Sequence, residues 1–183
     1  MIWSHVISKS KVLGKLALVA AAVTLLNPDA ASAAAPFVVS GLVLYQPNNM
    51  LAFRIRNDAR AFANYLGQVE AREAALFAQA GPNRGVSGAI VIAIKPGGQS
   101  RAWLVLGPNV QLDPTPAHIK AEAEAVPPLP VQAGPVAVAI LFKAWGGGLP
   151  VTDAAHPAPI PLEWAGAAAP EMVPDGPLAR IWP

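Results

Sequence analysis

The chain has 183 residues, 54% of them apolar and 13% charged, with 13 basic and 11 acidic side chains and no cysteine. The absence of thiols excludes disulfides, thiolate metal sites and a cysteine nucleophile, so the fold must be held by an apolar core, for which the composition is sufficient. Lys9, Lys11, Lys15 and Asp29 all precede Ala34, which leaves 10 basic and 10 acidic residues beyond it; such a balance, with no basic patch, argues against nucleic acid or an anionic membrane surface as a partner.

The first segment carries a targeting pattern. The three lysines stand before an apolar run from Leu16 to Leu26 that only Thr24 interrupts, and Ala31-Ser32-Ala33 places small residues at the usual cleavage spacing. The run is shorter than the roughly 20 residues needed to span a bilayer. Residues 1–33 are therefore expected to be a secretory signal peptide, giving a periplasmic or secreted protein with no stable membrane insertion after cleavage.

Residues 34–56 read as an N-terminal hairpin. Phe37 to Tyr45 is strand-like, Pro47-Asn48-Asn49 is a turn signal, and in Met50 to Arg56 the apolar Leu51, Phe53 and Ile55 alternate with Ala52, Arg54 and Arg56. Residues 57–145 read as an α+β domain. Asn57 or Asp58 caps a long helix whose Phe62, Tyr65, Leu66, Val69, Leu76 and Phe77 recur at helical spacing, with Gly81-Pro82 ending it. Val86 to Leu106 is a hairpin of two apolar runs around a Pro/Gly turn. Its first strand is apolar on both faces, which marks a strand interior to a sheet or covered on both sides. A short helix follows, capped by Asp113 or Thr115 and stopped by Pro127 to Pro130. Val136 to Trp145 is a third main strand.

Residues 146–183 form a Pro/Gly-rich tail whose prolines exclude long helices or strands, yet Ile160, Leu162, Trp164, Ile181 and Trp182 are more apolar than a solvated linker requires. One face of the sheet, made of Ala89, Val91, Ala93, Ala137, Ala139 and Leu141, needs a cover, because a bare patch of that kind is rare on a monomer. Part of Leu149 to Trp164 is expected to supply it, leaving the last residues mobile. The fold class is thus α+β: a small antiparallel sheet of three main strands plus the N-terminal hairpin, two helices on one face, and the tail.

The order helix, strand, Gly turn, strand, short helix, proline cluster, strand carries a resemblance. Gly85-Val-Ser-Gly-Ala-Ile-Val-Ile-Ala-Ile-Lys-Pro-Gly-Gly, Asp113 to Val126 followed by Pro127-Pro-Leu-Pro130, and Gly134 through Phe142 together resemble the TonB/TolA-type periplasmic C-terminal domain, without that family's membrane anchor and spacer. The resemblance implies a non-catalytic module that binds a protein or peptide partner of the cell envelope by strand addition at a sheet edge. It also implies that the closing strand is that edge, with Val136, Val138, Ile140 and Phe142 as candidate partner-binding residues. The rival reading is a self-associating envelope protein whose edge is already filled by the hairpin or by a second copy, as in a homodimer.

No chemistry-bearing constellation competes with this. His118 and His156 stand at unrelated positions, Glu70 with Glu73 and Glu122 with Glu124 read as solvated helix faces, and no nucleophile elbow, P-loop or dinucleotide fingerprint is present. Trp103 and Trp145 read as core residues of strands. No catalytic residue, metal or cofactor is expected.

Overall fold

A computed structural model describes residues 34–81, 83–107, 110–152, 158–164 and 175–182. The expected signal peptide and His156 lie outside the described residues. The elements are strand β1 (Val38–Leu44), helices α1 (Asn48–Arg54) and α2 (Ala59–Gln79), strands β2 (Val86–Lys95) and β3 (Gln99–Leu106), helix α3 (Pro116–Glu124), strand β4 (Val136–Ala144), a 3-10 turn at Leu162–Trp164, and helix α4 (Asp175–Ile181). The strands make one antiparallel sheet in the order β1-β4-β2-β3. The fold is α+β.

The central hairpin forms as its pattern requires. β2 is buried from Val86 to Ile94, and Gly97 and Gly98, at φ 94° and 76°, turn the chain into β3. Gly88 faces the ring of Phe142 so closely that a Cβ there would lie 2.5 Å from Cζ. The missing side chain is what lets that ring lie across β2.

The helices lie on the face made by Ile90, Ile92, Ile94, Val136, Val138, Ile140 and Phe142. α2 begins where the Asp58 carboxylate accepts the Ala61 N–H at 2.8 Å, and α3 where the Thr115 hydroxyl accepts the His118 N–H at 3.3 Å. Tyr65, Leu66, Val69, Leu76 and Phe77 of α2 enter the core, as do Ile119 and Ala123 of α3. At one end Phe37, Phe77, Phe142 and Trp145 form an aromatic cluster with centroids 5.2 to 5.6 Å apart, a geometry that aromatic quadrupoles favour.

The N-terminal hairpin does not form. Met50 to Arg54 belong to helix α1, not to a strand. Leu51, Phe53 and Ile55 fit a period of two, but Leu51 and Ile55 also fit i, i+4, and the helical solution buries those two while leaving Phe53 59% exposed. The sheet therefore gains one strand from residues 34–56, not two.

The opposite face is covered by the chain itself. Ala158, Trp164 and Leu178 are buried against Val91, Ala93, Trp103, Ala137 and Ala139, with Ile181 and Trp182 beside them. Trp164 meets Tyr45 and Trp103 at centroid distances of 5.4 and 5.3 Å, and the Tyr45 hydroxyl donates to Pro159 O. The expected cover within Leu149 to Trp164 is present. The last residues are not left loose, however. α4 and Trp182 pack on the same face, because Arg54 holds Asp175 while Lys95 and Arg101 donate to the carbonyls of Trp182 and Ile181.

Candidate functional site

The residues expected to line an open edge, Val136, Val138, Ile140 and Phe142, are instead interior. β4 pairs with β2 on one side and with β1 on the other, and all four side chains are buried among the helices. The correction has a simple physical cause. β1 satisfies the β4 backbone groups that a three-stranded sheet would have left bare. A signal was present in the sequence, since Val136 to Leu141 is apolar on both faces, the criterion that placed β2 in the interior; β1, by contrast, carries Ser40 and Gly41.

The true edges are β1 and β3, and they differ. Along β3, helix α3 packs against the strand, and the Ala102 N–H donates to Glu124 Oε1 at 2.8 Å. That edge is closed there by a side chain that pattern reading had assigned to solvent. Along β1, Tyr45 N–H donates to Ala137 O at 3.3 Å, which identifies Tyr45 with Ala137 as a hydrogen-bonded pair. Antiparallel pairs alternate, so in the observed register the amides and carbonyls of Leu42 and Leu44 point away from β4. Among the described residues no group bonds to them. The side chains of Val38 and Leu42 are 48% and 51% exposed, and the register shifts between Val39 and Gly41. This irregularity divides the pairing with β4 into Val38 and Val39 on one side and Gly41 to Leu44 on the other.

The strand end is anchored. Gln46 donates through Nε2 to Pro135 O at 3.0 Å and accepts the Ala137 N–H at 3.3 Å, continuing the ladder with its side chain. Arg54 donates to Pro135 O at 2.6 Å. The open edge is thus carried on a rigid support, while Leu42 and Phe53 add exposed apolar surface in the same N-terminal segment.

Four polar side chains are buried among the described residues: Gln46, Arg54, Glu73 and Ser87. Ser87 donates to Gly148 O and accepts the Gly148 N–H, both at 3.0 Å, beside a cleft of about 560 Å³ lined by Arg84, Val86, Gly107, Val110 and Leu149. Glu73 is fully buried, and neither carboxylate oxygen has a hydrogen-bond partner. It is not on a solvated face; it lies on the same helical stripe as Val69 and Phe77, which the alternation of charges had obscured. Burial, reinforced by the nearby charge of Glu122, pushes its carboxyl up to about 8. Burial also pushes the Tyr65 phenol up to about 12, and among the described residues its hydroxyl has no hydrogen-bond partner.

His118 is exposed, with Nε2 4.0 Å from Glu122 Oε1. Among the described residues no group of three His, Cys, Asp or Glu could hold a metal ion, and no helix is long and apolar enough to cross a membrane. No protein-family model, curated protein or solved structure matches this chain.

Proposed function

We propose that this is an exported, non-catalytic protein-interaction module of the cell envelope that takes up an extended segment of a partner protein as an additional strand along β1. The observation that carries the reading is the pair of unbonded backbone positions at Leu42 and Leu44, on a strand edge flanked by exposed Val38 and Leu42. Main-chain bonds supply affinity in strand addition, and alternate side chains supply specificity. The order of elements from α2 to β4 resembles the TonB/TolA-type periplasmic domain, and the basic n-region, short apolar run and Ala31-Ser32-Ala33 support export. Relative to that resemblance, the acceptor edge moves from the closing strand to the strand placed outside it.

Leu42→Pro tests this on the purified protein. The Leu42 N–H points outward, so proline there removes a donor for an incoming strand and leaves the β1–β4 ladder intact; Val43→Pro removes a ladder donor and serves as the unfolding control. Peptides selected from a random library against the wild type should lose about five- to tenfold in affinity for Leu42→Pro at unchanged fold, since one lost amide bond amounts to about 1–1.5 kcal/mol. Library selection that yields no binder, or binders indifferent to Leu42→Pro, overturns the proposal. A concentration-dependent wild-type dimer that Leu42→Pro dissolves would identify a second copy as the strand donor.

A further inference from the structure

Of the four polar side chains buried among the described residues, three have partners and Glu73 does not. It is a buried residue of α2, a helix that meets α3 in a seam where Ile119 and Ala123 of α3 enter the same core. Across the seam Glu122 is near enough for its charge to act on Glu73. Arg72, the neighbouring cation on α2, is already engaged by Glu122, with Nη1 to Oε2 at 2.9 Å, and His118 stands behind Glu122 at 4.0 Å. Lys120 and Glu124 of α3 line a separate cleft with Arg101 and Glu163. The faces of β2 and β4 beneath α2 are apolar throughout. A neutral carboxyl can persist in such a place. An ionised one, with no donor, has no means of offsetting its lost hydration.

We propose that α3 is a proton-operated lid over the β3 edge: while Glu73 holds its proton α3 lies closed, and loss of that proton to solvent lifts α3 from α2 and frees the Ala102 amide that Glu124 now caps. The lid is short, only nine residues, and such a helix is held by packing and not by its own propensity. Weakening its seam with α2 therefore releases it as a unit. This joint lies on the edge opposite β1 and operates whether or not β1 binds a partner.

The closed form holds its proton up to about pH 8, against an ordinary value of 4.5 for a hydrated carboxyl in the open form. Between those limits the opening equilibrium rises about tenfold per pH unit. Hydrogen exchange of the intact protein, corrected for intrinsic rates, reads it directly. Protection of the α3 amides and of Ala102 should fall about tenfold per unit from pH 5 and level near pH 8, while staying below that of Ile92 in the central strand. Glu73→Gln should hold α3 protection constant with pH, and Glu122→Gln should move the plateau to lower pH by removing the repulsion. A flat wild-type profile overturns the lid, as does a decline preserved in Glu73→Gln, or equal protection of α3 and Ile92 at every pH. If Glu73→Gln fails to fold, the wild-type profile and the Glu122→Gln plateau decide between the same outcomes.

Discussion

The guanidinium of Arg54 grips the carboxylate of Asp175 with two parallel hydrogen bonds, Nη1 to Oδ1 at 2.7 Å and Nη2 to Oδ2 at 2.6 Å, joining helix α1, whose Leu51 lies in the core beneath the main helices, to helix α4, whose Leu178 is buried on the opposite face of the sheet. The pair is asymmetric. The Arg54 side chain is nearly buried, whereas that of Asp175 is 42% exposed.

That asymmetry sets the order of two substitutions. Asp175→Ala strands a buried guanidinium with only the Pro135 carbonyl, and is expected to cost about 2–4 kcal/mol. Arg54→Met removes the charge, fills the space, and leaves Pro135 O still bonded to Gln46; it should cost less, under about 2 kcal/mol, because Asp175 can hydrate. Thermal melts of the two variants check the order. A larger loss for Arg54→Met would mean that packing, and not charge pairing, holds α4.

Ending the chain at Thr152 should expose Val91, Ala93, Trp103, Ala137 and Ala139, which Ala158, Trp164 and Leu178 now cover. A lower melting temperature and concentration-dependent association are the expected results, measured by calorimetry and light scattering. A truncated protein that stays monomeric with unchanged stability would show that this cover contributes nothing.

Two glycines give opposite outcomes on alanine substitution. At Gly88 a Cβ meets Phe142 at 2.5 Å and Leu106 at 2.8 Å, an overpacking expected to destabilise by about 1–3 kcal/mol. At Gly67, in the middle of α2, nothing lies within 4 Å. Alanine there should stabilise by roughly 0.5–1 kcal/mol, because it restricts the unfolded chain and favours the helix. Denaturant titration of both variants gives the comparison.

Stability should also depend on pH through Glu73. Its folded value is raised, to about 8 from 4.5, so the unfolded chain releases this proton first. The contribution is fully present below pH 4.5 and is lost as the pH rises to about 8, by about 1.4 kcal/mol per pH unit. Glu73→Gln should flatten this part of the curve. Urea unfolding at intervals from pH 5 to 9 measures it, and an equally steep decline in the variant would place the titration elsewhere.

What the chain sequence determined by itself is local. The hairpin of β2 and β3, the extents of α2 and α3, the β4 strand and the apolar face in need of a cover all followed from periodicity, caps and turn residues, since each is specified within a few neighbouring positions. Met50 to Arg56 marks where that reasoning fails: seven residues satisfy both periods, and only the docking of Leu51 and Ile55 chooses the helix. The edge of the sheet is decided at longer range. Whether Val138 or Leu42 presents free amides depends on whether a strand nearly 100 residues earlier in the chain returns to pair with β4, and side-chain alternation carries no information about neighbours. Glu73 is the same lesson for a charge. Its position on the α2 stripe was visible, but burial without a partner is a property of the assembled core, which only the tertiary structure decides.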